Sequence, residues 1–529
     1  MNTATMSRAL LLTTALSAAM GLPAFADDLT IGVRAGPLSI DPDFTAAGSH
    51  AEAMKHIFDT LIRSGNELQL EPGLAESWSA IDDVTWEFKL RKNVKFHDGS
   101  DFTAEDVKFS IERIPLVAGP NPTTIYVRRV ANTEIVDANT IRVKTNGPAP
   151  TLPNDFVRLF IVSHVAAKGL NSAEEASAAF NSGKAAIGTG PYQFVSWTPK
   201  EELVLKRFDS YWGGKAAWDK VVRKELPNDS TRVAQLKAGQ VDVIARVPAS
   251  DVPTLEKDAA LKVVKTNSVY LFNVAFDFRD KPSQISSKDG TPLSKNPFRD
   301  PRVRQAIDLA IDRQAIADVA MEGMGTAQSQ LITPNILGYN PSIKVPEPDL
   351  KKAKALLAEA GYPNGFKVTL SFTNDRLPGD KEVGTTIVQM LSAIGIAAEA
   401  NAVPSAVFFP ANTRGDYSFT MSGWGTLTGE SNYTLSSLVH TLNPTTKLGT
   451  FNVRGYSNPA IDQLIEKAAV EMDTAKREQA LKEANALVAA DRPYLGIASV
   501  VSAWAMRKKL TIVPRSDEDT LATDIRRID

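Results

Sequence analysis

Val84, Trp86, Phe88 and Leu90 alternate with Thr85, Glu87, Lys89 and Arg91. A period of two with aromatic and β-branched members predicts a half-buried strand. The same reasoning predicts strands over 29–33, 192–197, 203–208, 241–244 and 366–372, and a hairpin about Asp137-Ala138-Asn139. Elsewhere the apolar period lengthens to that of a helix. Ala51, Met54, Phe58 and Leu61 share one helical face. Thr103 followed by Asp106 is a capping-box start, with Val107, Ile111 and Ile114 as the apolar face behind it. Ser230 opens a helix that Gly239 stops, and the strand–helix–strand order around it suggests a crossover in a mixed or parallel sheet. Pro301 suits a first helical turn, Asp349 begins a helix that Gly361 ends, and helical patterns recur over 380–394, 459–469 and 475–489. The polar stretch 281–295, with Gly and Pro, reads as a loop. No internal repeat is evident. The mixture predicts an α/β protein with an extra segregated domain.

The N-terminal pattern adds a compartment. Arg8 precedes the apolar run from Ala9 to Leu22, and Ala24-Phe25-Ala26 follows as a small-residue cleavage site. This predicts a secretory signal peptide over 1–26 and an exported chain beginning at Asp27. The run is shorter than the ~20 apolar residues a bilayer span needs. No later segment reaches about 18 uninterrupted apolar residues, so no membrane insertion is expected. The 529 residues suit three or four domains' worth of core at roughly 150 residues each. With 59 Lys+Arg against 61 Asp+Glu, the chain lacks the basic surplus of a nucleic-acid binder. The absence of cysteine excludes disulfides, thiolate metal sites, a cysteine nucleophile and a lipid-anchored N-terminal cysteine.

Catalytic signatures are missing. There is no Walker A sequence, no G-x-S-x-G elbow and no H-E-x-x-H helix. Gly183-Lys184 before Gly188-Thr189-Gly190 has the phosphate-loop order reversed. His50 and His56 are poorly spaced for a metal on a helix and read as surface or satisfied core residues; His97, His164 and His440 are scattered. No metal and no cofactor are expected.

Several stretches together resemble one family. Leu74-Ala75-Glu76-Ser77-Trp78 leads into the alternating strand, then Val94-Lys95-Phe96-His97-Asp98-Gly99 and Thr103-Ala104-Glu105-Asp106-Val107. Gly188-Thr189-Gly190-Pro191-Tyr192, Arg302-Val303-Arg304-Gln305-Ala306, Ala358-Glu359-Ala360-Gly361-Tyr362-Pro363 and Tyr456-Ser457-Asn458-Pro459 extend the likeness along the chain. The sequence resembles the family 5 bacterial extracellular solute-binding proteins, the periplasmic dipeptide, oligopeptide and nickel receptors of ABC transporters. The hallmark itself reads as structural: its large aromatics hold a domain together rather than touch a ligand.

The resemblance implies a two-lobed, type II periplasmic-binding (Venus-flytrap) fold with a third domain inserted in the first lobe. Mapped onto this chain, lobe I is 27–62, 187–275 and 497–529, the extra domain 63–186, and lobe II 276–496. It further implies a non-enzymatic, monomeric receptor in the periplasm. The receptor takes short peptides or peptide-like solutes to an inner-membrane permease, with no nucleic-acid partner. Alternatives are a nickel-complex, opine or sugar-conjugate receptor, an exported hydrolase, or a periplasmic holdase.

Site residues follow from the same resemblance. Peptide receptors of the family use an acidic residue after a Gly-Trp pair for the amino group, and an arginine before a Pro-containing loop for the carboxylate. Here the pair is Gly423-Trp424, continuing through Gly425, Thr426 and Leu427 to Glu430 and Tyr433. Leu427 and Glu430 stand where peptide members usually carry two aspartates. Glu430 is then a cation anchor or a solvated loop carboxylate. Arg376 matches the arginine, and its planar fork suits a carboxylate; the alternative is an ion pair with Asp375 or Asp380. Trp424 and Tyr433 read as pocket walls or core aromatics. Arg34 and Gly36, after the first strand, are candidate contacts at a strand end.

Overall fold

One twelve-stranded sheet runs through most of the protein. Its path is Ile285–Ser286, Lys367–Thr373, Phe419–Gly425, Leu261–Phe276, Tyr494–Arg507, Val243–Ile244, Asp28–Val33, Lys220–Glu225, Glu202–Arg207 and Tyr192–Thr198. Gly325–Ala327 pairs beside Tyr494–Arg507, and Ala397–Val403 beside Lys367–Thr373. The computed structural model describes residues 27–119, 123–170 and 172–528. The expected signal peptide lies outside the described residues.

The predicted crossover is present. Asp28–Val33 pairs in parallel with both Lys220–Glu225 and Val243–Ile244, and the connecting helix is Asp229–Ala238. Its cap is Asn228 rather than Ser230: the Asn228 side chain accepts from the Thr231 N–H, and Gly239 closes the helix at φ 74°. A left-handed residue is needed there, and glycine adopts it without Cβ strain. The Thr103–Asp106 capping box forms as expected and starts the helix Ala104–Arg113.

The helix expected from Ala51 to Leu61 stops early, at Gly48–Met54. Past that point the carbonyls of His56 and Ile57 accept from the Tyr192 and Gly190 N–H groups. A Cβ on Gly188 or Gly190 would lie 2.0 or 2.7 Å from the Ile57 backbone. The Gly188-Thr189-Gly190 loop thus docks on the carbonyls that further helical turns would have used. His97 ties the hallmark to this loop: its Nε2 donates to the Gly190 carbonyl at 3.0 Å, and its Nδ1 accepts from the Gly188 N–H at 3.3 Å.

Three large cores result. The first gathers Leu29, Ile31, Phe58, Phe180, Trp218, Trp504 and Met506. The second gathers Phe272, Phe276, Ile307, Phe372, Ile387 and Ile497. The third belongs to the sheet Ala75–Asp82, Thr85–Leu90, Thr140–Thr145 and Val130–Asp137, and contains Phe88, Phe96, Ile141 and Phe156. Past Leu159, Phe160, Val162, Phe180, Ala185 and Ala186 pack into the first core, while Ile161 stays in the third. Two long antiparallel strands, Leu261–Phe276 and Tyr494–Arg507, cross between the first and second cores. Their ladder is interrupted by a bulge between Asn267 and Leu271.

Candidate ligand cleft

At that bulge Tyr270 leaves the ladder with Tyr494–Arg507 and pairs with Gly425 of the neighbouring strand. A Cβ on residue 425 would lie 2.6 Å from the Tyr270 ring, so glycine there lets the ring cross the strand. Tyr270 lines a cavity of about 530 Å³, within the size range of small-ligand sites. One wall comes from Arg34, Arg246–Ser250 and Glu518, the other from Ala320–Glu322 and the Asn374–Glu382 loop, with Val500–Ala503 and Met324 completing the lining.

Arg376 stands on that second wall. Its Nη1 donates to the Gly423 carbonyl at 2.5 Å and to Ser422 Oγ at 3.4 Å, and its guanidinium lies 5.0 Å from the Phe409 ring centre. Neither acid expected as an ion-pair partner takes the guanidinium. Asp380 accepts from the Arg376 backbone N–H, and Asp375 accepts from Ser405. Burial works against the charge of Arg376, with only the Tyr270 hydroxyl and Asp380 supporting it. Among the described residues Arg376 forms no ion pair, and its guanidinium is held by the Gly423 carbonyl, Ser422 and the Phe409 ring.

The other sequence candidates are placed differently. Arg34 lines the cavity. Gly36 packs against Glu225, whose Oε2 would be 2.7 Å from a Cβ. Trp424 stacks on Tyr433 at 5.4 Å and donates from Nε1 to Thr434 Oγ1 at 2.9 Å. Thr426 is buried and shares a hydrogen bond with the same hydroxyl. Glu430 is not a solvated loop carboxylate: it is 2% exposed and accepts from Arg477 Nε at 3.1 Å. Burial pushes its carboxyl up, against the fields of Arg477 and Arg129. Its Oε1 has no partner among the described residues.

Sequence reasoning missed Asp155. It lies in the short turn Leu152–Asp155, next to Asn154, whose side chain donates to the Thr428 carbonyl at 2.7 Å. This bond joins the third core's domain to the Gly-Trp loop. Asp155 is half-buried, and burial pushes its carboxyl up to about 7. Arg129, Arg128 and Glu430 are the charged groups that face it. A short turn carries no periodic signal, so nothing in the pattern marked it. With its carboxyl pushed up to about 7, Asp155 passes from mostly protonated to mostly ionised between pH 6 and pH 8, a range in which an ordinary carboxyl at 3.8 stays ionised throughout. A ligand ammonium beside it would favour the ionised form and release a proton. We expect an amine-bearing ligand to bind about tenfold tighter at pH 8 than at pH 6, and Asp155→Asn to flatten that dependence. Calorimetry in buffers of different ionisation enthalpy counts the proton; affinity independent of pH with none released would remove Asp155 from the site.

His50 and His56 are buried against backbone groups. His50 Nε2 meets the Asp41 carbonyl, and His56 Nε2 accepts from the Ala522 N–H. Burial lowers the pKa of both, to about 4 and about 3, so both are neutral at pH 7. Among the described residues no group of three or more metal-ligating side chains gathers, and no helix is long and apolar enough to cross a membrane.

Two core-bearing bodies bridged by paired strands, with a polar cavity between them, define a two-lobed receptor of the type II periplasmic-binding fold. The comparisons agree. The family model for bacterial extracellular solute-binding proteins, family 5 (middle region), matches residues 69–445. The glutathione-binding protein GsiB of Escherichia coli (strain K12) is 28% identical over 494 residues, covering 92% of this chain and 91% of that one. The periplasmic binding protein DppA of Helicobacter pylori, solved with peptide STSA, superposes with a TM-score of 0.74 at 28% identity, covering 94% and 98% of the two chains. The periplasmic binding protein AgaA of A. tumefaciens R10, solved with agropinic acid, gives 0.71 at 26% identity, covering 95% and 99%. The chain belongs to family 5 of the bacterial extracellular solute-binding proteins. Members are periplasmic substrate-binding proteins of ABC importers: they bind and hand over a solute and do not transform it.

Proposed function

We propose that this protein captures short peptides or peptide-like solutes in the periplasm and delivers them to the inner-membrane permease of an ABC importer. The observation that carries this reading is Arg376, a guanidinium on the cleft wall beside Tyr270 with no carboxylate of its own. Trp424 and Tyr433 supply an aromatic surface near by, and relatives at 28% identity bind glutathione and a peptide. Export through the segment 1–26, without a lipid anchor, and action as a monomer belong to the same reading. The three separate cores support a lobe I, an inserted domain and a lobe II as its working parts. Ligand stabilises the closed arrangement by differential affinity, and that arrangement is what the permease reads.

Glutathione and peptide STSA are the first ligands to test. At 100 times the dissociation constant, a bound ligand adds about 2.7 kcal/mol to stability. A rise in melting temperature is expected, together with a smaller radius of gyration by X-ray scattering. Neither change with glutathione, STSA or a panel of di- to tetrapeptides would refute the peptide reading. Turnover of any of them would favour a hydrolase.

A further inference from the structure

Tyr270 connects the cleft to a second buried cation. Arg158 follows the Leu152–Asp155 turn, is 8% exposed, and its Nη1 has no hydrogen-bond partner among the described residues. Burial works against its charge, and the Tyr126 hydroxyl, Asp519, Asp517 and the Tyr270 hydroxyl together outweigh that and hold it as a cation. Both acids are already engaged: Asp517 with Arg515 at 2.9 Å and Asp519 with Lys55 at 2.6 Å. Tyr433, stacked on Trp424, senses Tyr126, Tyr270 and Arg158 together. The Gly-Trp loop links the two cations: Arg376 donates to the Gly423 carbonyl at one end, and Asn154, in the turn that precedes Arg158, donates to the Thr428 carbonyl at the other. The Arg158 backbone is rigidly held, since Leu159 accepts from the Leu61 N–H and Phe160 bridges to Thr60.

A buried donor left unpaired is costly, typically ~1–3 kcal/mol and more for a charged group. Such a cost persists at sites where something else completes the bonding. We infer that Arg158 is a second anion anchor, and that the solute carries two separated carboxylates, one for Arg376 and one for Arg158. With Asp155 available for an ammonium, the site complements an acidic short peptide or peptide-like diacid better than a peptide with a single terminal carboxylate. This inference rests on the peptide reading above and deepens it.

The test uses the exported chain with two probes: glutathione, with two carboxylates and one ammonium, and peptide STSA, with one of each. Wild-type protein should bind glutathione at least tenfold tighter than STSA in calorimetry. Arg158→Gln should weaken glutathione roughly tenfold to a hundredfold, the range for a lost charge-assisted hydrogen bond, and change STSA less than about threefold. Arg158→Lys should recover part of the loss, because it restores charge without the fork. The unliganded Arg158→Gln protein should melt no lower than wild type, since a purely structural arginine would lower it. Equal losses for both probes, no loss for either, or tighter binding of STSA by wild type would overturn the inference and leave the peptide reading standing. Binding of neither probe by wild type would overturn the inference, and the peptide reading with it if the panel of di- to tetrapeptides also fails to bind.

Discussion

Arg376→Ala is expected to abolish tight ligand binding while leaving the unliganded protein folded. The guanidinium is already oriented by the Gly423 carbonyl and the Phe409 ring, so a ligand carboxylate meets a preorganised donor. Removing one partner of a buried charge pair costs about 3–5 kcal/mol, because the other charge stays buried and unpaired. That is a loss of roughly two to four decades in affinity. Arg376→Lys should return only part of it, because an ammonium cannot hold the Gly423 carbonyl and two carboxylate oxygens in one plane. The free protein has no ion pair to lose at this position. Its denaturation midpoint should stay near wild type, which separates a binding defect from a folding defect. Calorimetry with glutathione or STSA reads the first quantity and urea unfolding the second. Wild-type affinity in Arg376→Ala would leave the ligand carboxylate to some other donor.

Arg477→Met is expected to do the opposite: to damage stability rather than binding. Arg477 lies in the helix Thr474–Asp491 and pairs with Glu430 at the end of the Gly-Trp loop. Without it, Glu430 is a buried carboxylate with two unsatisfied oxygens, and the loss should be about 3–5 kcal/mol in urea unfolding at pH 8. The penalty should shrink toward pH 5. Burial already holds the Glu430 carboxyl above its ordinary 4.5, and removing the Arg477 field raises it further. The folded variant then binds its proton more tightly than the unfolded chain does. Its stability is greatest below the ordinary value and falls as pH rises through the raised one. Glu430→Gln should be milder, since a neutral amide can still accept from Arg477. A pH-independent penalty, or none, would mean that water reaches the pair.

What could be read from the chain was whatever depends on near neighbours. The capping box at Thr103 and Asp106, the strand through Trp86 and Phe88, and the glycine stop at Gly239 are local chemistry, and each stands where the pattern put it. The family motifs carried the fold beyond that. The helix from Ala51 was overrun because its ending is imposed by residues 188–190, which no periodicity at 51–61 can reveal. The register of Leu261–Phe276 against Tyr494–Arg507 joins residues more than 200 positions apart, and the bulge that frees Tyr270 exists only in that pairing. Arg376 was singled out through its motif, whereas Asp155 and Arg158 sit on an aperiodic turn and stand out only once their surroundings are assembled. Glu430 shows the converse: a motif drew attention to the loop, but its role was decided by Arg477, 47 residues away.

The hydrogen bond from Asn154 to the Thr428 carbonyl closes the seam between the inserted domain and the Gly-Trp loop. Because the chain contains no cysteine, thiols introduced at 154 and 428 would be the only two in the molecule. A fluorophore attached at either position would sit where the two bodies meet and change its surroundings when they part. The same seam thus offers a place for an optical readout of solute, in a scaffold that needs no native residue removed for labelling.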